Sequence, residues 1–434
     1  MTFYKETEFQ DTSIGKIPKK WKFGKLVEFS KTKGDPVQTG PFGAQLHASD
    51  YAEDGVPLIL IKNISDGQIL DEDMPRVAEN KATELTRYRL KIGDIVFSRV
   101  GSVGRAAVIR RHQEGWLVSG QMLRVRLENP EIDNDFLSYV IATKWFQKAL
   151  ASRTVGATRK SINTEILSNL PMVVPDFSEQ KLIVGVLGVV DSVIAKTGEV
   201  IAKTERLKKG LMQTLLTRGI GHKEYKQTPI GTLPKEWKIE KIGNVCKVVT
   251  GGTPSTKHPE YFGGNIKWLK SGDIKKLYIY DTEEKLTQLG VENSNAKIHP
   301  ANSVAIALSG RGLTRGRTAV IKEPMACSQS VAIMIPNSEL LPEYIHYNLS
   351  NRYLEIRNLT GHFDRSGLNL SIVSDIEIPM PSIAEQEKIT SILVTIDKKL
   401  ELEKDEKAKL ERIKQGLMDL LLTGKIRVKV DQHV

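Results

Sequence analysis

Residues Ser178–Thr217 read SEQKLIVGVLGVVDSVIAKTGEVIAKTERLKKGLMQTLLT, and Ala384–Thr423 read AEQEKITSILVTIDKKLELEKDEKAKLERIKQGLMDLLLT. Glu179-Gln180 matches Glu385-Gln386, and Gly210-Leu211-Met212 matches Gly416-Leu417-Met418, both at a separation of 206 residues. In the first copy Ile183, Val190, Thr197, Thr204 and Leu211 recur every seven residues, with Val186, Val193, Val200 and Leu207 three residues on. That is the repeat of a helix with an apolar seam, and Leu187, Ile194 and Ile201 widen it. The second copy places Ile389, Ile396, Leu410 and Leu417 on the same register, with Glu403 and Glu406 weakening its middle. A helix of forty residues would reach roughly 60 Å, the length of a rod rather than of a core helix. Two matched copies, each following the same kind of segment, favour a paired-helix spacer over two unrelated surface helices.

The repeat extends outward from these helices. Ile14-Gly15-Lys16-Ile17-Pro18-Lys19-Lys20-Trp21 returns as Ile230-Gly231-Thr232-Leu233-Pro234-Lys235-Glu236-Trp237, 216 residues later. Gly104-Arg105-Ala106-Ala107-Val108-Ile109 returns as Gly316-Arg317-Thr318-Ala319-Val320-Ile321, 212 residues later. Ser119-Gly120-Gln121 parallels Cys327-Ser328-Gln329, and each half closes on a proline-bounded apolar run, Leu170–Pro175 or Ile376–Pro381. Short β-type runs and a helical stretch (133–149 and 341–358) lie between these landmarks, so each half mixes strand and helix. The shrinking separation places insertions and deletions inside the globular segments, as expected of units that share a frame and differ in loops. The expected fold class is α+β: two mixed α/β globular halves with long helices and internal duplication. The expected divisions are a globular half at 1–177, a helix at 178–218, a linker at 219–229, a second half at 230–383, a helix at 384–424 and a tail at 425–434.

The totals narrow the functional classes. A length of 434 residues suffices for two domains with separate cores. A net charge of +11 favours a polyanionic partner, nucleic acid before membrane. The first residues, MTFYKETEFQDTS, have no apolar core, so neither signal peptide nor anchor is expected. Cys246 and Cys327 are the only cysteines, which excludes a disulfide framework and fits a reducing cytoplasm.

No catalytic constellation emerges. Gly251-Gly252-Thr253-Pro254-Ser255-Thr256-Lys257 only approximates a phosphate loop, and Pro254 removes a needed backbone donor. An Asn-Pro-Pro-aromatic methyltransferase signature and a dinucleotide glycine fingerprint are absent from the sequence. Pro175-Asp176 with Glu179-Gln180-Lys181 has the letters of a metal-dependent nuclease. It reads better as a helix start, with Ser178 as cap and acids in the first turn. The scattered histidines and the two distant cysteines give no zinc-ligand spacing. No catalytic residue, metal or cofactor is therefore expected in this chain.

The loops instead carry basic and amide groups among glycines at matching places. Gln38 and Thr39 precede Gly40; Arg99 and Arg105 flank a Gly/Ser/Val loop; Arg159 and Lys160 follow Gly156. Their counterparts are Thr250 and Thr253, Arg311, Arg315 and Arg317, and Arg365. Arginine can fork onto guanine or neutralise phosphate, amides can read adenine, and glycine lets backbone approach a groove. A single exposed arginine means little, but recurrence in both halves points to DNA contact. These twelve residues are the expected DNA-binding set.

With these landmarks assembled, the chain resembles the specificity subunit of Type I DNA restriction–modification enzymes. The resemblance rests on IGKIPKKW and IGTLPKEW, on the proline segments followed by Glu179-Gln180 and Glu385-Gln386, and on KGLMQTLLT with QGLMDLLLT. It implies two target-recognition domains held apart by two antiparallel coiled-coil helices with pseudo-two-fold symmetry. It also implies a bipartite asymmetric double-stranded DNA target, two adenine-N6 methyltransferase subunits and motor-nuclease restriction subunits as partners. S-adenosylmethionine, ATP and Mg²⁺ would belong to those partners. On this reading Leu211, Met212, Leu215, Leu417, Met418 and Leu421 dock partner helices, or else seal the helix pair. A coiled-coil scaffold, or a DNA-modifying enzyme active alone, are the alternatives.

Overall fold

The computed structural model describes residues 2–429, apart from 66, 155–159, 311 and 360–366. It divides into two compact units: Met1–Thr197 with Glu406–Val434, and Gly198–Asp405. The long helices run over Phe177–Arg218 and Ile383–Leu421. Each unit thus takes the N-terminal half of one long helix and the C-terminal half of the other. The first helix begins one residue before Ser178, so Ser178 lies inside its first turn. At the second helix, Ser382 does cap, its hydroxyl accepting from Glu385 N at 3.3 Å.

In the first unit, strands β1 (Val37–Thr39), β2 (Val56–Ile59), β3 (Ile95–Ser98), β4 (Ala106–Val108), β5 (Leu117–Val118) and β6 (Met122–Val125) form the frame. One antiparallel sheet has the order β4-β3-β6-β1, while β5 runs parallel to β2 in another. All four residues of β3 and of β6 are buried, which suits their continuous apolar runs IVF and ML-V. The helices Asn134–Ile141 and Lys144–Ala151 bury Phe136, Leu137, Val140, Phe146 and Leu150 against this sheet.

The second unit repeats the frame with β7 (Cys246–Thr250), β8 (Phe262–Leu269), β9 (Ser303–Ala307), β10 (Thr318–Ile321), β11 (Met325–Cys327) and β12 (Val331–Pro336). Its order β10-β9-β12-β7 equals that of the first unit, with Tyr278–Ile279 added at the β10 edge, and β8 runs parallel to β11. The duplication read from the sequence is therefore one of fold, and both units are mixed α/β.

Within each unit the two helix segments run antiparallel. In the second unit Lys208 Nζ meets Asp397 Oδ1 at 2.5 Å, and Lys404 Nζ meets Glu205 Oε1 at 2.6 Å. In the first, Lys414 Nζ meets Asp191 Oδ1 at 2.5 Å. One line of buried and half-buried positions runs the length of the first helix with steps of four and three: Ile183, Leu187, Val190, Ile194, Thr197, Ile201, Thr204, Lys208, Leu211, Leu215. The expected column from Ile183 to Leu211 is kept, and Val186 is half-buried, but the rest of the second expected column is corrected. Val193, Val200 and Leu207 are 40%, 42% and 56% exposed. Burying the column of Leu187, Ile194 and Ile201 removes more apolar surface than burying the valine column would. The polar middle of the second helix is accommodated by pairing, with Thr204 Oγ1 donating to Glu403 Oε2 at 3.3 Å.

Candidate nucleic-acid interface

Three polar arrangements recur in both units and show what the repeated letters do. Gln180, fully buried, donates to the carbonyls of Glu131 and Pro175 at 2.8 Å each and accepts from Asp133 N at 2.8 Å. Gln386 does the same with Glu339 and Pro381 (2.9 and 3.0 Å) and Leu341 N (2.9 Å). Each glutamine thereby pins the start of a long helix to the loop before the next domain helix. Beside it, Trp21 Nε1 donates to Glu179 at 3.2 Å and Trp237 Nε1 to Glu385 at 3.0 Å. Facing Glu179 is the Arg427 guanidinium, at 2.5 and 2.7 Å; facing Glu385 is the His222 ring, at 3.0 Å. Arg427 lies on the strand Ile426–Val428, which pairs antiparallel with Phe3–Lys5.

The third arrangement ties domain to helices. Tyr139 Oη donates to Asp191 at 2.7 Å, and Tyr347 Oη donates to Asp397 at 2.7 Å. Lys414 and Lys208 complete the two sets from the opposing helix. Burial first, and then the aspartate, push both tyrosine pKa values well above the ordinary phenol range. Asp191 recurs as Asp397 at the same 206-residue separation as the helix landmarks, and that repetition was the available signal.

Around this framework the strand ends of each domain form a rim. In the first domain Gly40 follows β1 so closely against the β5–β6 turn that a Cβ there would collide with the Ser119 carbonyl. A Cβ on Gly120 would lie 2.6 Å from that of Phe42. Arg99 N donates to Gln121 O at 3.1 Å, Ile162 N donates to Arg99 O at 2.9 Å, and Val100 bridges Ser161. The loop after β1, the β5–β6 turn, the start of the β3–β4 loop and the segment at 160–162 thus share one edge. In the second domain Gly251 packs on the Cys327 carbonyl, Thr253 Oγ1 donates to Gln329 Oε1, and Leu368 N donates to Leu308 O at 2.8 Å. Burial pushes the Cys246 and Cys327 thiols up to about 12, so neither is a thiolate near neutrality.

The expected contact residues distribute unevenly over this rim. Arg99 and Lys160 lie together on it, and the Arg99 Nε is buried without a hydrogen-bond partner among the described residues. Arg105, exposed, reaches the Ile64 carbonyl at 3.3 Å. Gln38 and Thr39 are not turn residues: they belong to β1, half-buried, paired with Arg124 and Leu123. Thr250 closes β7 and commits its hydroxyl to the Val331 carbonyl at 2.7 Å, so its side chain serves the fold. Thr253 is on the rim. Arg317 lines a cavity of about 1170 Å³ with Lys208, His346 and Asp397, and Thr253 is not among its walls. Arg315 is half-buried on the same loop. Arg159, Arg311 and Arg365 lie outside the described residues. Gln121, Gln329 and Phe42 are rim residues that the arginine-centred reading passed over.

The six residues expected to dock partners are packed into their own units. Leu215, Met418 and Leu421 are buried, and Leu211, Met212 and Leu417 pack half-buried against the same cores. The buried three cannot offer a surface without local unfolding, because sealing the helix ends consumes their apolar area. Among the described residues, no group of three or more His, Cys, Asp or Glu could hold a metal ion.

Fold and rim together define a duplicated mixed α/β protein whose differing loops ride on one repeated frame. A family model described as the Type I restriction modification DNA specificity domain matches residues 18–206 and 234–412, and the chain belongs to that family. The putative type I restriction enzyme MjaX specificity subunit of Methanocaldococcus jannaschii is 29% identical, over 99% of both chains. The MjaVIII specificity subunit of the same organism is 26% identical, over 99% of this chain and 98% of that one. A solved type I restriction-modification S subunit from M. genitalium shares the fold, with a TM-score of 0.58 at 14% identity, over 95% of this chain and 97% of that one.

Proposed function

We propose that this type I specificity subunit supplies DNA addresses and no chemistry: each domain reads one half of a bipartite, asymmetric double-stranded target. The observation carrying this reading is a single frame present twice with different rims, Phe42 against Gly120 in one and Thr253 bonded to Gln329 in the other. Identical rims would read a symmetric target; these would not. The long helices act as a ruler between the two readings and dock two adenine-N6 methyltransferase subunits, with motor-nuclease subunits joining for restriction. Residue Val193 (unit one), and Val200 and Leu207 (unit two), exposed apolar positions on the first helix, serve docking better than the six buried or half-buried leucines and methionines. S-adenosylmethionine, ATP and Mg²⁺ act in the partners, in the cytoplasm. Among the described residues, no helix is long and apolar enough to cross a membrane.

The test is methylome sequencing of cells expressing the chain with its methyltransferase. Methylated adenines in a split, non-palindromic motif are expected. The purified chain alone, given DNA, Mg²⁺ and S-adenosylmethionine, should neither cut nor methylate, and activity in that incubation would favour a self-sufficient enzyme. Recognition centres about one duplex turn apart (~34–36 Å) fit within a helix of 42 residues. A short insertion in the first helix should therefore change only the gap; altered half-sites would reject the ruler.

A further inference from the structure

The two rims share a glutamine. Gln121 follows Gly120 in the β5–β6 turn, and Gln329 holds the matching place between β11 and β12. Two residues past Gly40 stands Phe42, and two past Gly251 stands Thr253. The glycines make these matching positions, because each packs on the carbonyl that opens the facing turn, Ser119 in one domain and Cys327 in the other. Phe42 is 63% exposed although its backbone is tightly held: its Cβ abuts Gly120, and its carbonyl accepts from Gln45 N at 3.3 Å. Gln121 is exposed, and its amide has no hydrogen-bond partner among the described residues. Gln329 is also exposed, but its Oε1 accepts from the Thr253 hydroxyl.

We propose that Gln121 and Gln329 are the base-reading amides of the two domains, and that the residue at 42 or 253 sets what each amide presents to DNA. This rests on the specificity-subunit reading above and names the residues through which it works. An amide held by nothing else can accept from adenine N6–H and donate to N7 in the major groove. Gln121 is in that state. Thr253 occupies the Gln329 carbonyl, which leaves the NH₂ group as the part of the amide free to read a base. Such donors match edges that carry acceptors, guanine O6 and N7 or thymine O4. Phe42, exposed and backed against Gly120, gives apolar contact to a thymine methyl on a neighbouring pair. One position in an otherwise repeated turn thus makes the two domains read differently.

The experiment uses the chain assembled with its methyltransferase subunits and a DNA library randomised across both half-sites, with methylated molecules sequenced. Phe42, Gln121, Thr253 and Gln329 are all exposed, so substitutions there leave the cores intact. Gln121→Met should relax one base pair of one half-site by roughly tenfold or more and leave the other half-site unchanged. Gln329→Met should do the same in the opposite half-site. Thr253→Val should shift the pair read by Gln329 toward adenine, and Phe42→Ser should weaken selection for one thymine. The assignment is overturned if the glutamine variants keep the wild-type preference at every position, or lose all sequences equally. An unchanged Thr253→Val profile beside a relaxed Gln329→Met profile overturns the orienting role of Thr253. A wild-type complex that methylates without sequence preference would instead overturn the specificity reading itself.

Discussion

Replacing Arg427 by methionine should unfold the first unit far more readily than loss of one ion pair at a surface would. Glu179 retains 2% of its side-chain exposure and Arg427 7%. Both nitrogens facing Glu179 are within 2.7 Å of it, and Arg427 also pairs with Glu6, itself 11% exposed. Burial works against the guanidinium's charge, but the Glu179 carboxylate overcomes it and raises the Arg427 pKa above its ordinary value. Without Arg427, Glu179 keeps, among the described residues, only the Trp21 indole, a neutral donor at 3.2 Å. Stranding a buried carboxylate in this way costs about 3–5 kcal/mol. The double variant Glu179→Gln/Arg427→Met removes both charges and should recover most of that loss, because the neutral amide can still accept from Trp21. The assay is urea unfolding followed by hydrogen exchange at the paired strands Phe3–Lys5 and Ile426–Val428, which report the first unit alone. A loss below about 1 kcal/mol in the single variant, or a double variant less stable than the single, would refute the reasoning.

Three further outcomes follow from the geometry. His346, buried and bonded to Thr318 at 3.0 Å, has its pKa pushed down to about 4 by burial and then by Lys208. Its unfolded form takes a proton near pH 6.5 and its folded form does not, so the second unit should lose about 3 kcal/mol as the pH falls from about 6.5 to 4. His346→Phe should flatten that slope in acid unfolding curves. Asp397→Ala strands Lys208 and the Tyr347 hydroxyl, at side-chain exposures of 25% for the lysine and 22% for the aspartate. It should cost about 2–3 kcal/mol by thermal unfolding of the second unit. Gly251→Ala drives a methyl group into the Cys327 carbonyl and should destabilise by about 3 kcal/mol, while the same change at Gly272, where nothing lies within 4 Å, should be nearly silent in the same melt.

The duplication, the two long helices and the mixed α/β character were legible in the chain because each leaves a local signature. Repeated words at near-constant spacing announce a repeated frame, and a seven-residue apolar recurrence announces a rod. Even the choice between two apolar columns was half-visible, since Leu187, Ile194 and Ile201 stood beside the valines that the structure leaves exposed. The candidate site was less legible. Gln38 and Thr250 look like loop residues by composition, yet strand pairing claims them; Arg317 looks like its counterparts, yet its loop turns it toward the helices.

What local sequence determined, then, is periodicity, repetition and turn chemistry, all set by neighbours within a few residues or by direct copying of a segment. Contacts across the fold decided the rest. Glu179 meets a cation 248 residues away and Asp191 a lysine from the opposing helix, pairings that no spacing rule encodes. The same holds at the rim, where a glycine's freedom from a side chain brings Thr253 to Gln329 and Phe42 to the turn before Gln121. Burial and charge compensation choose such partners only once the chain has closed, because each unit is built from segments distant in sequence.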